Sequence, residues 1–177
     1  MKSENLTLRA LEPSDVDQLF KWENDTSLWH LSSTLTPFSR FALEQYVMNA
    51  GEDIYANKQL RLMIDLNHEG DSITIGCIDL FDFDPVNMRA GIGIMIIKDE
   101  REKGYASEAI DLMVEYAFDL LHLHQLYANV LIDNQASLEL FKRKHFEIIG
   151  VKKEWVRIGN TWMDEYILQL INRNSSD

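Results

Sequence analysis

The stretch Ile94-Met95-Ile96-Ile97-Lys98-Asp99-Glu100-Arg101-Glu102-Lys103-Gly104-Tyr105-Ala106 holds the residues best placed to do chemistry. An apolar strand runs into a charged loop containing Arg101, Lys103 and Gly104, and that loop opens the most regular helix of the chain. The first N–H groups of a helix have no partner inside it and carry partial positive charge, so together they bind phosphate. Gly104 lets the main chain approach a ligand with no Cβ between them. The pattern is neither a Walker loop nor a dinucleotide fingerprint. The same residues also fit an ordinary strand–loop–helix corner with solvated charges.

Such a loop needs a strand before it and a helix after it. Ala106, Ala109, Ile110, Met113, Val114, Ala117, Phe118 and Leu121 recur at three- and four-residue intervals, which predicts a helix over 105–121. Met88–Ile97 reads as a strand holding Gly91 and Gly93, and glycine inside a strand marks a bulge or a close approach. Upstream, Leu60–Leu66, a polar turn at 67–71 and Ile73–Phe83 read as strand–turn–strand. Leu6–Leu11 predicts a first strand, and Glu12-Pro13-Ser14-Asp15 a helix start continued by Val16, Leu19, Phe20 and Glu23. Residues 25–38 read as an irregular loop anchored by Trp29, Leu31 and Leu35. Ser39 caps a second helix through Leu43, Tyr46 and Val47, which Gly51 ends. Leu126–Ile132 is a strand, Asn134 caps a helix to about Arg143, and Phe146–Trp155 with Trp162–Leu170 form a hairpin across Ile158-Gly159-Asn160. The order β-α-α-β-β-β-α-β-α-β-β predicts one mixed α/β domain over residues 1–171, with 172–177 a flexible tail.

The 177 residues, 46% apolar, suffice for a single core. A net charge of −12 argues against a nucleic-acid partner. The single cysteine, Cys77, allows no internal disulfide, and the start Met1-Lys2-Ser3-Glu4 has no apolar stretch behind it, so a cytoplasmic protein is expected. The longest apolar run, Ala90 to Ile97, is far short of the roughly 20 residues of a membrane helix. Residues 1–88 carry 15 acidic and 6 basic side chains, while residues 89–177 carry 14 and 11. The first half therefore favours a cation and the second tolerates an anion, although solvated surface on both halves fits the same numbers.

Arg101-x-x-Gly104-x-Ala106 resembles the acyl-CoA pyrophosphate loop of the GNAT N-acetyltransferases, whose pattern is Gln/Arg-x-x-Gly-x-Gly/Ala. Three further stretches resemble the same family: Leu6-x-Leu8-Arg9-x-Leu11-Glu12, Ala117-Phe118-x-Leu120-Leu121-x-Leu123-His124-x-Leu126-Tyr127, and Asn134-x-x-Ser137-x-x-Leu140-Phe141-x-x-x-x-Phe146. Within it the chain looks most like the bacterial spermidine/spermine acetyltransferases and the ribosomal-protein N-terminal acetyltransferases. The resemblance implies a GNAT fold, a mixed and mostly antiparallel sheet of about seven strands with four helices, and acetyl-CoA as co-substrate. It implies that Ile94, Met95 and Ile96 offer main-chain groups to the pantetheine arm. Arg101, Glu102, Lys103, Gly104, Tyr105 and Ala106 would wrap the pyrophosphate, and Asn134 and Ser137 would also reach the cofactor. No metal is implied. Asn134 has a second role as a helix cap, and Lys142-Arg143-Lys144 lie either near an adenosine phosphate or in solvent.

The reaction implied is acetyl transfer to a primary amine by direct attack in a ternary complex. An amine of pKa near 10.4 must lose a proton to react, which costs about 3 pH units, or roughly 4 kcal/mol, at neutral pH. A base, a water chain or desolvation must help. The family usually protonates the departing thiolate with a tyrosine where this chain has Phe141, often has a glutamate where it has Gly91, and often glycine where it has Glu102. Asp79 is the catalytic candidate, as a base through water or as a holder of the cationic amine; a solvent-facing strand residue is the alternative. Strand alternation puts Phe81 on its face and Asp82 on the other. His30 is a weaker candidate, Tyr127, Tyr105 and His145 are unranked acids, and Cys77 reads as a small core residue. The acidic first half favours a polyamine, a basic peptide N-terminus or an amino sugar as acceptor. A ribosomal-protein-type N-terminal acetyltransferase and a CoA-binding module with little turnover are the rival readings. Trp155 and Trp162 on the terminal hairpin point to a homo-oligomer.

Overall fold

In the computed structural model, which describes residues 1–29, 34–51, 53–67 and 72–173, seven strands form one sheet. The strands are β1 (Leu6–Arg9), β2 (Leu60–Asn67), β3 (Ser72–Asp84), β4 (Arg89–Ile96), β5 (Gln125–Leu131), β6 (Glu147–Ile158) and β7 (Thr161–Ile171). Their spatial order is β1-β2-β3-β4-β5-β7-β6, antiparallel throughout except between β4 and β5. The element order predicts a mixed α/β domain, and this is the mostly antiparallel sheet of about seven strands that the family resemblance implies. The helix expected between β4 and β5 supplies the crossover that a parallel pair requires.

Local chemistry accounts for the starts of several helices. Ser39 Oγ accepts from Ala42 N at 3.1 Å and starts α2 (Arg40–Asn49). Asn134 Oδ1 accepts from Ser137 N at 3.1 Å and starts α5 (Gln135–Arg143). Glu12-Pro13-Ser14-Asp15 forms a 3-10 turn, with the Glu12 N–H donating to Asp15 Oδ2 at 2.8 Å, before α1 (Val16–Glu23). One element was not expected, the single turn α3 (Ile54–Asn57), whose Asp53 cap accepts from Tyr55 N at 3.0 Å. A four-residue helix offers no periodicity to read. The long helix is α4 (Tyr105–Glu115), extended by one wider π-turn at Tyr116–Leu120. The terminal hairpin strands run further than the sequence suggests and meet at Gly159-Asn160, with Gly159 at φ 60°. Asn172 is not loose, since its N–H donates to His124 O at 2.8 Å. The expected turn at 68–71 and residues 174–177 lie outside the described residues.

Two layers cover the sheet. Ile110 and Met113 on α4 pack with Leu62, Ile78, Leu80 and Ile92. Burying side chains of this size is worth about 1.5–3 kcal/mol each. On the other face Val16, Leu19, Leu43 and Val47, from α1 and α2, pack with Met63, Cys77 and Met95. Register pairs Met63 with Cys77 and Cys77 with Met95, so one residue row crosses three strands beneath these two helices.

Candidate active site

The β4–β5 ladder holds only three pairs, Arg89 with Gln125, Ala90 with Leu126 and Gly91 with Tyr127. Past Gly91 and Tyr127 the two strands part. β5 continues to Leu131 on β7, and β4 continues to Ile96 on β3. A fork opens between them, and one edge of β4 at Ile94, Met95 and Ile96 faces it. Backbone groups on such an edge seek hydrogen-bond partners and can pair with an extended ligand.

The charged loop closes the wide end of this fork. Arg101 Nε donates to Ile96 O at 2.9 Å, folding the loop back on the strand end, and Lys103 pairs with Glu100 at 3.0 Å. Glu102 sits at φ 63° and Gly104 at φ 91°, left-handed conformations that glycine adopts without strain. No side chain caps α4, and its first internal bond runs from Glu108 N to Gly104 O at 3.2 Å. The N–H groups of Tyr105, Ala106 and Ser107 therefore lie at an uncapped, partly positive terminus. A Cβ built on Gly104 would meet nothing within 4 Å, so open space lies above it. A helix start of this kind favours an anion.

Asn134 and Ser137 lie where β5 ends and α5 begins. Asn134 caps α5 through Oδ1, and its amide nitrogen is a separate donor. Phe141 is 4% exposed and stacks edge-to-face on Phe146 at 5.1 Å, as a core residue. Lys142 pairs with Glu139 at 3.3 Å and Lys144 with Asp111 at 2.6 Å.

The face of the fork under α1 and α2 carries the acids. Arg61 on β2 donates from Nε and Nη2 to the two oxygens of Asp79 at 2.7 and 2.8 Å, and from Nη1 to Glu23 at the end of α1. Its guanidinium lies 5.7 Å from the ring centre of Tyr46. Burial pushes the Tyr46 phenol up to about 12, with Arg61 opposing. Burial likewise pushes the Cys77 thiol up to about 12, so it is a neutral core group, as its sequence position suggests. Both oxygens of Asp79 accept from Arg61, and the formal charges of the trio sum to −1. Helical spacing places Glu23 and Tyr46 on α1 and α2 but shows no role for them here, and Arg61 carries no local signal. The signal for Arg61 was its place opposite Asp79 in a hairpin, but a bulge at Ile64/Asp65 shifts that register.

Asp82 corrects the expected alternation. A register shift between Phe81 and Asp84, with Asp82 at φ 49°, turns its side chain so that Tyr127 Oη donates to Asp82 Oδ2 at 3.1 Å. Phe81 meets the same tyrosine edge-to-face at 5.8 Å. Burial and the Asp82 charge push the Tyr127 phenol up to about 12. The Phe81 ring also explains Gly91, because a Cβ there would lie 2.3 Å from it. Of the other candidates, Tyr105 is the first residue of α4, whereas His145, at φ 65°, lies in the turn after α5. His30 is outside the described residues. Trp155 and Trp162 are 60% and 55% exposed, with Lys152 Nζ 5.0 Å from the Trp155 ring centre.

A sheet forked at its one parallel pair, with an uncapped helix start at the mouth, is the arrangement expected of an acyl-CoA-dependent transferase. The acetyltransferase (GNAT) domain model matches residues 5–147, and the chain belongs to that family of N-acetyltransferases, which use acetyl-CoA. The chain is 27% identical to an uncharacterized N-acetyltransferase p20 of Bacillus licheniformis, covering 97% of this chain and 95% of that protein. It is 26% identical to a spermidine N(1)-acetyltransferase of Vibrio cholerae over 97% of this chain and 98% of the relative. The crystal structure of a spermidine N-acetyltransferase from Vibrio cholerae with CoA and spermine superposes with a TM-score of 0.85 at 23% identity, covering 96% of both chains, a likeness of fold. A dodecameric structure of that enzyme in an intermediate state matches with a TM-score of 0.79 at 25% identity, covering 96% of this chain and 95% of the other. No helix among the described residues is long and apolar enough to cross a membrane.

Proposed function

We propose that this enzyme acetylates a cationic small-molecule amine, best matched by a polyamine, through direct attack on acetyl-CoA in a ternary complex. The observation that carries the acceptor class is the Glu23–Arg61–Asp79 cluster, two half-buried carboxylates on one guanidinium beside the fork. Its surplus negative charge attracts an ammonium group, and the acidic first half of the chain adds a long-range field of the same sign. The named spermidine acetyltransferases among the relatives support the same acceptor. Asp79 then acts as a holder of the amine more than as its base.

The main-chain edge at Ile94, Met95 and Ile96 holds the pantetheine arm, and residues Arg101 to Ala106 hold the diphosphate, with Asn134 and Ser137 beside the arm. Acetyl-CoA brings the activated acetyl group. Direct attack is favoured because the chain's one cysteine is buried and held protonated, which removes the obvious covalent nucleophile. A cytoplasmic enzyme, assembled as a homo-oligomer through the Trp155 and Trp162 hairpin, completes the reading.

The test is thiol release from acetyl-CoA with spermidine, spermine, basic peptides and amino sugars as competing acceptors. The highest kcat/KM is expected with a polyamine. Preference for peptide N-termini would replace this reading with the ribosomal-protein type, and CoA binding without thiol release from any acceptor would leave a binding module.

A further inference from the structure

Two side chains that the family resemblance leads one to expect for proton transfer are absent here, since Phe141 has no hydroxyl and Gly91 no carboxylate. The fork compensates at its closed end. Gly91 and Tyr127 form the last β4–β5 pair, so Tyr127 stands where the strands separate. A carrier gripped at 101–106 and extended back along Ile96, Met95 and Ile94 points its reactive end toward that junction. The Phe81 ring fills the space beside Gly91 and packs on Tyr127, while the β3 bulge delivers the Asp82 carboxylate to the Tyr127 hydroxyl.

We propose that Tyr127 and Asp82 form the proton path of acetyl transfer, with Tyr127 the catalytic residue and Asp82 the positioning residue that accepts through it. The inference rests on the amine-acetylating reading above. The amine attacks in its neutral form, its ammonium proton having gone to water. Attack forms the C–N bond, moves the carbonyl π pair onto oxygen and leaves the nitrogen with a formal positive charge, which makes its N–H acidic. That proton passes to Tyr127 Oη as the phenol gives its own to Asp82 Oδ2. The oxygen pair then re-forms the carbonyl as the C–S bond breaks, and the proton returns from Asp82 through Tyr127 to the departing sulfur. The pair ends as it began, and the amine proton leaves on the thiol of CoA. A phenol pushed up to about 12 stays protonated at neutral pH, which keeps it a relay rather than a lone phenolate base. The charged groups around it are Asp82, Arg89, which pairs with Asp84 at 3.2 Å, and Glu147, which lies behind the neutral Gln169.

The test compares Tyr127→Phe, Asp82→Asn and Asp82→Glu with the unaltered enzyme, using the best amine found by thiol release. Tyr127→Phe and Asp82→Asn are expected to lower kcat by on the order of 100-fold, the usual scale of general acid–base help, with Asp82→Glu recovering part of it. CoA affinity by calorimetry and the melting temperature stay near the unaltered values. Alkaline titration of phenolate absorbance, taken as the difference from Tyr127→Phe, isolates Tyr127, and its midpoint falls in Asp82→Asn. Retention of kcat by Tyr127→Phe, a loss confined to KM, or a phenol midpoint indifferent to Asp82 would overturn the proposal. If the unaltered enzyme releases no thiol with any amine, it is the functional reading that fails, and the phenol titration still reports on the pair.

Discussion

Arg61 joins β2 to β3 and α1 at once, donating to both carboxylate oxygens of Asp79 at 2.7 and 2.8 Å and to Glu23. All three side chains are less than one-fifth exposed. Removing one partner of a half-buried ionic group leaves uncompensated charge. Arg61→Ala is therefore expected to lower stability by about 3 kcal/mol, read from urea denaturation. Asp79→Asn separates holding from proton transfer. As a holder of the amine it raises KM for the polyamine about tenfold and leaves kcat near its original value, whereas a base would lose kcat.

Gly104 has φ 91° at the start of α4, with open space above it. Gly104→Val places a branched side chain in that space and strains the turn by about 1–2 kcal/mol. CoA binding by calorimetry should weaken about tenfold or more, while the fold by circular dichroism persists.

Gly91 lies under the Phe81 ring, where a Cβ would stand 2.3 Å away. Gly91→Glu, which restores the family's frequent carboxylate, should destabilise by about 1–3 kcal/mol through overpacking. Phe81→Ala combined with it should recover much of that loss, a non-additive pair in a thermal double-mutant cycle.

Cys77 is 5% exposed with its thiol at about 12. At pH 8 about one molecule in 10⁴ carries the thiolate, so iodoacetamide should label the denatured but not the native chain. Cys77→Ala should keep kcat within about twofold, because no acyl-cysteine forms on the route proposed.

Asp15 is buried, which raises its carboxyl, but Arg9 at 2.7 and 2.8 Å and the Glu12 N–H outweigh this and hold it below the usual carboxylate range. A carboxyl depressed in the folded state contributes stability above its unfolded value, and that contribution is lost as pH falls through the folded value. Urea midpoints should drop steeply below about pH 4, and less so in Asp15→Asn.

Much of the molecule is legible in adjacent residues. Ser39, Asn134 and the Glu12–Asp15 turn start their helices by bonds spanning three residues. The 3/4 spacing of α4 and the Arg101–Gly104–Ala106 loop are equally local, because sterics and hydrogen bonding act there over one turn of chain. The seven strands and their order of appearance follow from the same patterns. Three things waited for the tertiary structure. The fork needs β4 and β5 to stop pairing after three residues, which depends on elements that approach from elsewhere in the chain. The Glu23–Arg61–Asp79 cluster joins residues 38 and 18 positions apart, through a register that the Ile64/Asp65 bulge displaces. The bulge after Phe81 turns Asp82 toward Tyr127, against the alternation of the strand. A side chain's face reverses with one extra residue in a strand, and only the packed sheet decides whether that residue is there.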